Sequence, residues 1–170
     1  MNYYKSVQVP NVLITLPERR AIKDSKIDDV KKMIFKGLVE IDDPIDSFSK
    51  HTMLHDAVIM NREELFDFLV NQGANLMIRD QNGYTALLKA AALGRFEMVK
   101  KLIESGVDPR HIDRYGNTAR DKATLYNRFE IQRYLQEMEK RAEKGELILV
   151  NWNDPERIRR SGRYRTFLDY

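Results

Sequence analysis

Apolar residues in the middle of the chain fall three and four apart, the spacing of one helix face. The clearest groups are Leu65, Phe66 and Leu69, then Met98, Val99, Leu102 and Ile103, then Ile131, Tyr134, Leu135 and Met138. Each group follows a shorter, small-residue segment such as Ala90, Ala91 and Ala92, which predicts a short helix that neighbours can approach closely. The unit recurs: Thr52, Thr85 and Thr118 are 33 residues apart, and so are Asn61, Gly94 and Asn127. A fixed period of this length predicts stacked helix-turn-helix repeats, each unable to bury its apolar face alone.

The punctuation agrees with that reading. Gly83 and Gly116 stand two residues before the threonines, where a tight turn needs positive φ, and the threonines can then cap the helix that follows. Asn61, Gly94 and Asn127 are residue types that tolerate the left-handed conformation after a helix, and Gly73 and Gly106 close the second helices. A fainter copy lies upstream, where Leu16 to Ala21 align with Thr52 to Ala57, and Ile27, Val30, Met33, Ile34 and Gly37 continue it. Its offset is 36 residues, which places an insertion within Glu40 to Pro44. The predicted fold is all-α, a solenoid of four helix pairs over 15–47, 48–80, 81–113 and 114–146. The first and last pairs are degenerate, as end caps should be when one face meets solvent.

These features together resemble the ankyrin repeat over Thr15 to Glu146: the threonine-x-leucine-histidine start, the alanine pair, the glycine turn and the glycine-alanine-asparagine exit. Against the family pattern, Met53, Ala86 and Ala119 replace proline, and the histidine survives only as His55, with Leu88 and Asp121 at the equivalent positions. Met77 and Arg110 occupy the places of the asparagine that the family can have hydroxylated, so that modification is not expected. Lys50 replaces the first turn glycine, which predicts a differently shaped loop there.

The resemblance implies a protein-binding role through turn tips and the inner face of the first helices. Transferred to this chain, those positions are Phe48, Ser49, His51, Ile59 and Met60; Gln81, Asn82, Tyr84, Ala92 and Leu93; and Arg114, Tyr115, Asn117, Leu125 and Tyr126. Many are apolar or aromatic, the character of an interface; the alternative is partial burial of Ile59, Met60, Leu93 and Leu125 between repeats or under a tail.

Two segments lie outside the repeats. The N-terminal arm, 1–14, has Val7, Val9, Val12 and Ile14 around Pro10 and reads as extended. The C-terminal arm, 147–170, opens with a strand-like Leu147 to Val150, able to pair with the N-terminal arm, and continues through Trp152, the only tryptophan. It ends with Arg157, Arg159, Arg160, Arg163 and Arg165 interleaved with Tyr164, Phe167 and Tyr170. Arginine forks onto carboxylate or phosphate, so this arm is expected to meet an acidic protein surface, with a solvated tail or nucleic acid as the alternatives. Trp152 anchors the arm either on the repeats or on a partner.

Composition narrows the choices. At 170 residues and 42% hydrophobic the chain suits one domain, and a net charge of +3 with 32% charged residues gives no overall field that selects nucleic acid. There is no cysteine, hence no disulfide, thiolate metal site or cysteine nucleophile. No targeting segment is recognised, so the expected address is the cytoplasm. His51 and His55 are four apart but lack a third metal ligand, and Asp42, Asp43 and Asp46 lack calcium-loop spacing. Without a phosphate loop or a nucleophile elbow, no enzyme, cofactor or metal is expected. The reading is a non-enzymatic accessory or scaffold subunit of a larger assembly, with a free signalling adaptor as the alternative.

Overall fold

We describe residues 27–45, 48–152 and 154 of a computed structural model of the protein. The chain divides into two units, the first ending at Val39 and the second beginning at Glu40. In the first, α1 (Ile27–Phe35) places Asp28 and Asp29 in its first turn, where negative charge complements the helix dipole, and buries Val30. Gly37, at φ 64°, ends it in the left-handed region, and Leu38 donates to the Met33 carbonyl at 2.9 Å. Thus α1 lies where the second helix of the upstream copy was expected; Leu16 to Ala21, where its first helix was expected, lie outside the described residues.

In the second unit three helix pairs follow one another: α2 (Met53–Ile59) with α3 (Glu63–Asn71), α4 (Ala86–Leu93) with α5 (Phe96–Glu104), and α6 (Ala119–Leu125) with α7 (Phe129–Glu143). The short helices α2, α4 and α6 pack in sequence, each also lies on its own longer partner, and α5 meets α7. Thr52, Thr85 and Thr118 stand at the three N-caps in extended conformation, ψ 170°, 170° and 171°. Asn61, Gly94 and Asn127 take φ 55°, 77° and 56°, the left-handed turn expected of them. Ala57, Ala90, Ala91 and Ala123 are fully buried, so the short helices approach on small side chains, while Leu65, Phe66, Leu69, Val99, Leu102 and Leu135 fill the layer beneath the long ones.

The stack ends because the last short helix is polar where its predecessors are not. Leu87, Leu88 and Ala91 of α4 are buried; 33 residues on, Arg120, Asp121 and Thr124 occupy the same places, Arg120 half-buried and the other two exposed. Arg120 Nε meets Glu139 Oε2 at 3.1 Å, tying α6 to α7. A further repeat stacked here would have to desolvate these charged and polar groups, which the buried apolar faces of α2 and α4 do not require.

Among the described residues there are no strands, and the strand expected at Leu147 to Val150 is absent: one edge of that segment is used singly, Val150 donating its N–H to the Gly106 carbonyl at 2.9 Å. Pairing with the N-terminal arm falls outside the described residues. Trp152 is 6% exposed, so it packs within the protein; its placement among partner-binding residues is corrected to a structural anchor. Gly106 has φ 87°, and a Cβ there would run into Val150 Cγ2 and come within 3.0 Å of the Ile148 carbonyl. Gly116, at φ 81°, has open space around the same position.

The two glycines therefore separate backbone strain from crowding. Gly116→Ala is expected to lower stability by about 1 kcal/mol, and Gly106→Ala by about 2–4 kcal/mol because the segment at 148–150 must also lift away. Urea unfolding of both variants checks this; equal losses would mean that 148–150 is not held at Gly106.

Candidate functional site

Between successive helix pairs the chain makes a finger that turns back on itself. In Asp80 to Thr85 the Asp80 Oδ1 accepts the N–H groups of Asn82 and Tyr84, both at 2.8 Å, and Asp80 N–H donates to the Tyr84 carbonyl at 2.9 Å. Asp113 repeats the arrangement with Tyr115 at 2.8 Å and Asn117 at 2.9 Å, its N–H donating to the Asn117 carbonyl. Gly83 and Gly116, each at φ 81°, complete the turns. The second carboxylate oxygen of each aspartate faces the short helix that follows: Lys89 Nζ lies 2.7 Å from Asp80 Oδ2, and Lys122 Nζ 2.7 Å from Asp113 Oδ2.

Both aspartates are buried. Burial alone would raise their pKa, but the lysine and the backbone N–H groups outweigh it, holding Asp113 down to about 2 and Asp80 below the usual carboxylate range. Burial likewise works to lower the Lys122 ammonium, yet Asp113 and Tyr84 outweigh it and lift the group above its ordinary value. Both ammonium groups lie over the Tyr84 ring, Lys122 Nζ at 4.8 Å and Lys89 Nζ at 5.3 Å from its centroid, a cation–π contact. These groups form the floor between finger tips and helix ends.

The first finger departs from the other two, as expected from Lys50, but not where expected. Lys50 keeps the left-handed turn at φ 55°, and Ile45 N–H donates to the His51 carbonyl at 2.8 Å. Neighbouring fingers are joined where Gln81 N–H donates to the Ser49 carbonyl at 2.9 Å. His51 lies outside α2, 3.5 Å from Asp56 and 3.4 Å from Asp80, and stacks on His55 with ring centroids 5.7 Å apart. His55 Nδ1 accepts from Thr52 N–H at 3.2 Å, which leaves Nε2 to donate to the Tyr84 carbonyl of the next repeat at 3.0 Å. Burial pushes its pKa down to about 4. His55 is therefore a neutral bracket between two repeats.

The rows expected to bind a partner separate into two strips. Phe48, Gln81, Asn82, Arg114 and Tyr115 stand at the finger tips, all exposed, with Phe48 and Tyr115 at 78% and 73%. Met60, Leu93, Leu125 and Tyr126 stand exposed at the far ends of the short helices, and Ile59 and Ala92 beside them are half-buried. A short helix of seven or eight residues separates the strips by roughly 10–12 Å. His51, Tyr84 and Asn117 are half-buried in the floor between. Arg157, Arg159, Arg160, Arg163, Tyr164, Arg165, Phe167 and Tyr170 lie outside the described residues. The floor pairs were missed in the sequence, although Asp80 with Asp113 and Lys89 with Lys122 keep the 33-residue period and could have been found by it.

Helix pairs of this kind, capped by threonine, joined by aspartate-centred fingers and stacked through small residues, define a repeat solenoid. A family model described as ankyrin repeats (3 copies) matches residues 54–146, over half of the chain, and the protein belongs to the ankyrin-repeat family. Ankyrin repeats generally mediate protein–protein interaction. No curated protein matches the chain closely enough to serve as a relative. Among the described residues no helix is long and apolar enough to cross a membrane.

A histidine with a depressed folded pKa stabilises the protein above its unfolded value near 6.5, and that contribution is lost as pH falls toward about 4. His55 should thus remove about 2 kcal/mol between pH 7 and pH 5. His111, also lowered by burial, adds in the same direction. Urea midpoints at the two pH values should converge in His55→Gln, whose stability at pH 7 is lower but whose slope is shallower; an unchanged slope would exclude His55 as the source.

Proposed function

We propose that the chain is a non-enzymatic interaction module, an accessory or scaffold subunit that grips another protein across its finger tips and short helices, with the C-terminal arm as a second attachment. One observation carries the reading: large apolar side chains are exposed at repeat positions whose framework neighbours are buried. Phe48, Tyr115 and Tyr126 present most or half of their surface to solvent, and exposed aromatics in register with a rigid scaffold are the groups that dominate protein interfaces. The polar floor is satisfied internally, so contact energy falls to these aromatics. The arginine-aromatic segment 157–170 supports an acidic partner surface, and the cytoplasm is the proposed address.

Cross-linking and pull-down from the source cell should capture a partner with the full chain. Phe48→Ala and Tyr115→Ala are each expected to weaken that complex about tenfold while leaving the unfolding midpoint in place. Because Val150 and Trp152 belong to the folded unit, the arm is tested by truncation after Asp154, not within 147–152. Folded variants that hold the partner as tightly as the parent would remove the finger tips from the interface.

A further inference from the structure

The turn edge, where each short helix hands over to a long one, carries charge that the finger tips do not explain. Arg62, Arg95 and Arg128 recur at 33-residue spacing, each at the N-cap of a long helix and none capping it with its side chain. Arg62 sits in the field of Asp56. Arg95 and Arg128 have no ion-pair partner among the described residues, and Arg95 Nε is buried without a hydrogen-bond acceptor there. Arg128 lies across the turn of the preceding repeat: a Cβ at Gly94 would stand 3.0 Å from its Nε and 3.1 Å from its Cδ. One arginine is thus laid beside the other's turn.

The same edge is apolar. Leu93 is 40% exposed, Tyr126 51%, Leu125 67% and Phe129 63%. The nearest acidic side chains in sequence do not neutralise it: Glu97 is taken by Lys100 at 2.7 Å, and Glu130 stands two residues past Arg128, where helix side chains point apart. The N-terminal ends of α5 and α7 open here and add positive potential of the same sign.

We propose that this edge binds an amphipathic helical segment of a partner protein that carries two carboxylates two turns apart, flanked by apolar residues. Packed helices in adjacent repeats lie roughly 8–10 Å apart, and residues i and i+7 of a helix are separated by about 10.5 Å, so one carboxylate reaches each arginine while leucine-sized side chains cover Leu93, Leu125 and Phe129. A phosphate backbone would satisfy the arginines and leave that apolar surface against charge. The inference rests on the protein-binding reading and names the chemistry of the partner.

The probe is a fluorescent helical peptide of about 20 residues with Glu at positions i and i+7 and Leu at i+3 and i+4, titrated into the full chain by anisotropy. Arg95→Gln and Arg128→Gln should each weaken binding about threefold and together about tenfold, with the corresponding Lys variants recovering part of the loss. The same peptide with Gln in place of Glu should bind the parent as weakly as the Glu peptide binds the double variant. Tyr115→Ala, at the finger tips, should leave peptide binding unchanged. A loss there would move the site to the finger tips and overturn the turn edge while sparing the protein-binding reading. Equal binding of Glu and Gln peptides, indifference to both arginines, no binding at all, or tighter arginine-dependent binding of an oligothymidine of similar length would each overturn the proposal.

Discussion

The fold depends on a buried carboxylate in each of the second and third fingers. Asp80 and Asp113 each turn one oxygen to two backbone N–H groups of their own finger and the other to a lysine on the following short helix. Finger and helix are thereby fixed to a common point. Such pairs add little net stability compared with an apolar replacement, because desolvating both charges offsets their attraction, but removing one partner alone costs about 3–5 kcal/mol. Their value is therefore geometric: the finger can project only one way from the stack. Depression of the Asp113 pKa to about 2 shows that its bonds outweigh its burial.

The first finger shows what happens when that device is missing. Ser47 and Asp56 stand where the other repeats have aspartate and lysine. His51 fills the gap from the other direction, reaching Asp56 on its own short helix and Asp80 in the next finger. His55 adds a second link by donating to the Tyr84 carbonyl. The repeat without the aspartate–lysine pair is thus joined forward to its neighbour, as expected when repeat stability is shared through nearest-neighbour interfaces.

Most of the fold was legible in the sequence because its framework positions are constrained by backbone geometry. Thr85, Gly94 and Gly106 occupy places where few residue types satisfy the dihedral or the cap, so their recurrence at 33 residues discloses helix boundaries directly. The expected strand at Leu147 to Val150 failed for a physical reason: a short unbroken apolar run fits any partly buried extended segment, and here the cover is a repeat exit at Gly106, not another strand. Trp152 was ambiguous because a lone aromatic carries no period. Lys50 misled in a different way, since the cost of a left-handed lysine, on the order of 1 kcal/mol, is small enough for the surrounding turn to impose it. The candidate site was legible as a set of exposed positions but not as two strips, because sequence spacing does not show that a short helix places its ends on opposite rims of the floor.

That separation constrains how a partner is recognised. The floor binds its own charges, Lys89 and Lys122 being committed to aspartates and to the Tyr84 ring, so it offers a partner shape more than free hydrogen-bonding groups. Exposed apolar side chains are left on the rims: Phe48 and Tyr115 at the finger tips, Leu93 and Tyr126 at the turn edge. A ligand touching one rim alone gains a narrow line of contacts, and such small interfaces are weak. A ligand spanning both rims gains two lines whose separation is fixed by helix length, which the fold cannot easily alter. Specificity then follows from matching that distance as much as from the residues on either rim, and rigidity of the buried pairs in the floor is what makes the distance selective.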